Sequence, residues 1–193
     1  MDADDRNASE KDSLQNLGIS VLPVSEIENI LLLPDVSKAI AQTEGYEETE
    51  LENILQDLRN AVFAGLNTPQ KIEAVLVRYC RRRIDRHLKK IDLSEENTVE
   101  GITNGFNQKT IDLDISAIAS QASSKIQASI DNNDISSLLE IYDDKSLVSL
   151  VAAKLKHQRQ RDFESWLTRM LRKQEASNLV NVIQGILPEV EAP

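Results

Sequence analysis

At 193 residues with 40% apolar side chains, the chain is long enough to bury one sizeable core and too apolar for a disordered segment. Its single cysteine, Cys80, excludes an intrachain disulfide, and no apolar run approaches the roughly 20 residues that span a bilayer. The expectation is a cytoplasmic protein with no membrane contact and, because the N-terminus is acidic, no secretory signal.

The net charge of -10 argues against indiscriminate nucleic-acid binding, but the charge is segregated. Residues 1–57 hold fourteen acids and three bases, residues 58–90 nine bases and two acids, residues 91–144 eleven acids and two bases, and residues 145–193 eight bases and five acids. An acidic front suits a divalent cation, and the basic segment suits phosphate or another acidic surface.

Taken in chain order, residues 9–17 read as a short helix stopped by Gly18, and Ile19-Ser20-Val21-Leu22 as a short strand closed by Pro23. Ser25 and Glu28 have the spacing of a capping box, which predicts a helix with Ile27, Ile30, Leu31 and Leu32 on its apolar side, interrupted at Pro34. A second short helix follows over 35–41. The apolar steps from Leu51 to Phe63 predict a longer one over 47–64, and Thr68-Pro69 opens the next, running to residue 91. The Asn, Gly and Thr content of 94–108 reads as a loop. Helical periodicity returns over 113–130, 136–142, 145–156, 161–172 and 178–186.

Two constellations carry candidate chemistry. Asp2 and Asp4 alternate across Ala3, so on an extended strand end both carboxylates point the same way and can share one Mg²⁺, a hard cation that takes oxygen ligands. Taken alone, such a cluster is more often a solvated terminus. The second is the basic helix. At about 100° per residue, Arg81, Arg82, Arg86 and Lys89 fall within roughly 80° of Arg78, with Leu76, Cys80 and Ile84 opposite and Val77 and Leu88 at the flank. That stripe suits phosphates. No aromatic residue interleaves Arg81-Arg82-Arg83 for base stacking, and the acids at 47–52 are available to balance it, so a solvated, neutralised face is the plainer reading. His87 and His157 lack zinc spacing, Cys80, Phe163, Trp166 and Met170 read as packing residues, and Gly101, Gly105 and Lys109 do not match a nucleotide-binding loop.

The order Asp2-x-Asp4-Asp5-Arg6, a helix, Gly18-Ile19-x-Val21-Leu22-Pro23, then Glu26-Ile27-Glu28-Asn29 with Leu31 to Leu33 resembles a bacterial family of Toprim-like proteins. Members of that family are fused to, or encoded beside, AAA- or ABC-like ATPases, and similar proteins act in phage defence. Ile141-Tyr142-Asp143-Asp144-Lys145-Ser146-Leu147 is similar to a second family segment, with Asp144 in place of its usual glycine. The resemblance implies a partial α/β remnant over 1–33 and a helical domain over 34–193, mainly α as a whole. It implies Asp2 and Asp4 as Mg²⁺ ligands, Glu28 as a helper acid, and an upstream strand with a catalytic Glu that has no counterpart here. The functional expectation is the C-terminal portion of a Toprim-type, Mg²⁺-dependent nuclease, inactive alone. The alternative is a non-catalytic helical module that binds a partner ATPase.

Overall fold

In the computed structural model, which describes residue 6 and residues 8–187, the first helix, α1 (Ala8–Asn16), ends where Gly18 takes a φ of 72°. Glycine occupies this left-handed region without a Cβ clash, and the Gly18 and Ile19 amides close back on the Gln15 and Leu14 carbonyls. The strand expected at Ile19 to Leu22 does not form; these residues are irregular, and there is no strand among the described residues. A strand needs a ladder partner, and no other described segment supplies one. Burial of Leu22 and Val24 holds this stretch instead.

The capping box expected at Ser25 and Glu28 is also absent. The Ser25 amide and hydroxyl both donate to the Leu139 carbonyl, at 2.9 and 3.1 Å. The chain continues as a 3-10 turn over Ile27–Leu32 with Glu26 at its cap position and no side-chain cap. A long-range acceptor has displaced the local one, and four successive residues, Ile30 to Leu33, are buried rather than a single helical stripe.

From Pro34 the expected helices appear. Pro34 is the first residue of α2 (Pro34–Thr43), where its missing N–H removes nothing. Next come α3 (Glu48–Ala64) and α4 (Pro69–Lys89), the latter capped by the Thr68 hydroxyl, which accepts from the Lys71 amide. The loop expected over 94–108 is overturned by α5 (Val99–Thr110). Thr98 caps it by accepting the Gly101 amide at 3.0 Å, while the Thr103 and Thr110 hydroxyls bond back to the Val99 and Phe106 carbonyls. Its glycines mark a close approach rather than a loop: a Cβ on Gly101 would lie 2.6 Å from a Glu96 carboxylate oxygen, and one on Gly105 3.2 Å from Leu93.

The remaining helices are α6 (Ile115–Asp131), α7 (Ile135–Leu139), α8 (Val148–Lys156), α9 (Gln160–Lys173) and α10 (Ser177–Ile186), with a 3-10 turn at Lys145–Leu147 before α8. Asp114, Asp134 and Asp144 each cap the element just after them. Helix α7 is shorter than the 136–142 expectation, because the chain leaves the helix at Glu140 and buries Ile141 and Tyr142 against the core.

Packing places α3 against α8, α10 against α2, α4 against α6 and α6 against α7. One hydrophobic cluster runs from Leu22 to Leu179, so residues 22–33 share their core with the helices beyond Pro34. Phe163, Leu58, Leu155 and Leu138 are among its fully buried members. Two parts lie outside this cluster. Helix α1 contributes nothing to it, and no residue from 81 to 121 is fully buried, so the distal ends of α4 and α6 with α5 between them project as a solvated arm.

Candidate functional site

The polar groups that the fold brings together are those of residues 25–29 and 139–145. Besides the two Ser25 bonds to Leu139, the buried Asn29 amide donates to the Tyr142 carbonyl at 3.2 Å. Lys145 reaches Glu26 at 3.3 Å and Glu28 at 3.9 Å. The two segments carrying the family-like residues are thus bonded directly to one another. Asn29 is wholly buried, yet its Oδ1 accepts no hydrogen bond from the described residues, and neither does the buried Oε2 of Glu28. Burial pushes the Glu26 carboxyl above its ordinary value, with Glu28 and Asp143 adding to the effect and Lys145 opposing it.

Beside this junction stands the basic helix. The Asp143 side chain, only 7% exposed, accepts from Arg78 Nε at 2.9 Å and is also paired with Arg82. Two guanidinium groups converge on one carboxylate. Arg83 and Lys90 both pair with Glu10 of α1 at 2.8 Å. Asp143 and Glu10 are thus acids that balance the helix, and among the described residues none of those at 47–52 pairs with it. Arg81 and Lys89 are exposed and form no ion pair among the described residues, whereas Arg86 lines a small cavity with Glu10, Arg83 and His87. His87 Nε2 donates to the Lys109 carbonyl at 2.7 Å.

Burial also pushes the Tyr142 hydroxyl up, aided by the negative charge of Asp144. Burial would do the same to Glu140, but hydrogen bonds and positive charge from Lys125 and Lys11 outweigh it and hold that carboxyl below its ordinary range. Lys11 thereby ties α1 to the end of α7.

Of the residues singled out from sequence, Asp2 and Asp4 lie outside the described residues. Glu28 lies at the junction, facing an ammonium group. No group of three or more His, Cys, Asp or Glu among the described residues is placed to hold a metal ion. The charged groups of the described residues form instead a set of cation–anion clamps between segments. Arg78 and Arg82 share Asp143, while Arg81 and Lys89 point away from such partners. Sequence reasoning missed Asp143 as the counter-ion of the stripe. The only signal was the position of Asp143 in the second family-like segment, with nothing to say what it faced.

Cys80 and Met170 are buried as expected, Phe163 stacks on Trp166 at 5.7 Å, and Lys156 lies 4.0 Å over the Trp166 ring while pairing with Glu44. No helix among the described residues is long and apolar enough to cross a membrane. Comparison of the chain with family profiles, with curated proteins and with solved structures returns no match.

Proposed function

We propose that the chain is the C-terminal portion of a Toprim-type nucleic-acid-processing protein from an ATPase-associated phage-defence system, with the described helices as its non-catalytic body. The observation that supports this reading is the mutual bonding of residues 25–29 with residues 139–145. Two family-like segments, distant in sequence, meet at one junction, as they would if both belonged to one inherited unit. In this reading Mg²⁺ belongs with Asp2 and Asp4 and supplies Lewis-acid chemistry to a phosphodiester. The described residues contribute the junction and the arginine face beside it.

The test is metal-dependent cleavage of single- and double-stranded DNA and RNA by the protein made from its whole reading frame. Cleavage with Mg²⁺ or Mn²⁺ that falls to background in an Asp2→Ala, Asp4→Ala variant is the expected result. Full cleavage by that variant would remove the metal assignment. The second reading, a helical module that binds a partner ATPase, is favoured by Arg78 and Arg82 already being neutralised by Asp143. Whole-frame protein that cleaves nothing with either metal supports this second reading.

A further inference from the structure

The tip of the arm combines two properties that rarely occur together on a solvated helix. Val99, Ile102 and Phe106 follow one another at helical spacing along α5, and all three are exposed, Val99 to 83%. The two threonines on that side offer no free hydroxyl hydrogen, since Thr103 and Thr110 donate to the Val99 and Phe106 carbonyls. The opposite side, with Gly101 and Gly105, is the one laid against residues 93–96. Ile111, 78% exposed, and Ile115 continue the apolar surface through the next turn. This is an uncharged, carbon-rich face on a helix that buries none of its own residues.

Its surroundings are strongly acidic. Residues 91–115 contain six acids and one base. Glu95 and Glu100 stand at the start of α5 and Asp114 beyond its end, all exposed, while the Glu96 carboxylate lies on the inner side against Gly101 and Gly105 and Asp112 lines a small cavity with Arg83, Arg86 and Lys90. The one base, Lys109, has its ammonium tied to the Asp92 carbonyl.

We infer that the outer face of α5 is a docking surface for a basic amphipathic helix of another protein. Apolar anchors at three- and four-residue steps would lie on Val99, Ile102 and Phe106, with lysines or arginines meeting the acidic rim. Charge selects this occupant over two others. A second copy paired through the same face would set one acidic rim against another, and an anionic membrane would be repelled in the same way. The inference does not depend on the Toprim-type reading.

The probes are two fluorescein-labelled helical peptides of about 18 residues with the same leucine stripe, one carrying lysines and the other glutamates on its polar side. Anisotropy is measured on the full chain, on an Ile102→Ser, Phe106→Ser variant and on a Glu95→Gln, Glu100→Gln variant, each checked for unchanged helicity. The lysine peptide is expected to bind the parent protein, more weakly as salt rises, and to lose about tenfold or more in affinity in each variant. The glutamate peptide is expected not to bind. No binding of the lysine peptide, equal binding of both peptides, or unchanged affinity in the serine variant would overturn the inference. So would concentration-dependent dimerisation abolished by the serine variant, or binding of the parent protein to phosphatidylserine vesicles through the same residues.

Discussion

Asp143 holds two guanidinium groups from a side chain that is 7% exposed, whereas Arg78 and Arg82 are 43% and 28% exposed. Removing it takes a shared counter-ion from two neighbouring cations, although solvent screens them in part. Asp143→Ala is expected to lower stability in urea titrations by about 1–3 kcal/mol. The same change removes the carboxylate that the two arginines share. If the stripe contacts phosphate, oligonucleotide binding should strengthen and its salt dependence steepen by about two counter-ions. Unchanged binding would leave the stripe a structural role. Asp134 works differently. Its side chain accepts from the Ser137 hydroxyl and amide at the start of α7, and these bonds hold its carboxyl below the ordinary aspartate range. A depressed folded value means a contribution that is complete above the unfolded value and is lost as pH falls through the folded one. Asp134→Ala is accordingly expected to cost about 1 kcal/mol at pH 7, and the gap between variant and parent urea midpoints should close as the pH drops below about 4.

Among the helices, α1 stands apart in how it is attached. It adds nothing to the hydrophobic cluster, and Glu10 and Lys11 fasten it to Arg83, Lys90 and Glu140. Partly exposed ion pairs are individually weak and salt-sensitive. Glu10→Gln is expected to speed amide exchange throughout α1 while moving the global unfolding free energy by no more than about 0.5 kcal/mol. A large global loss would show that α1 is integral to the core. Helices α3, α4 and α6 were legible in the sequence because their apolar steps repeat every three to four residues, and Thr68-Pro69 marks the start of α4 without outside help. Ser25 was not legible as a tertiary donor, since its acceptor lies on Leu139 and a local capping box has the same letters. Helix α5 was hidden for another reason. Glycine, asparagine and threonine are weak helix formers, and their service here, a close approach to Glu96 and hydroxyls bonded back along the helix, depends on contacts that composition does not contain. At the candidate site, the basic direction of α4 could be read from spacing, but its neutralisation by a carboxylate 61 and 65 residues further on could not.

Across the whole molecule, burial is uneven. The cluster built on α2, α3 and α8 contains Val36, Ile40, Val62, Val151 and Leu155, all fully buried, while no residue from 81 to 121 reaches that state. Hydrogen exchange is expected to reflect this, with amides of the arm opening at least about tenfold more readily than those of α2 and α8. Equal protection in both regions would mean that the arm is stabilised by something other than apolar burial. The junction of residues 25–29 with 139–145 has a consequence for synthesis as well. The Ser25 donors and their Leu139 acceptor are 114 positions apart, so at about 5–20 residues per second a ribosome needs about 6–23 s to produce the second after the first. During that interval Ile30, Leu31, Leu32 and Leu33 are outside any finished core. This run is where a nascent-chain chaperone should bind first, and slowing translation between codons 34 and 138 should lengthen that occupancy in proportion.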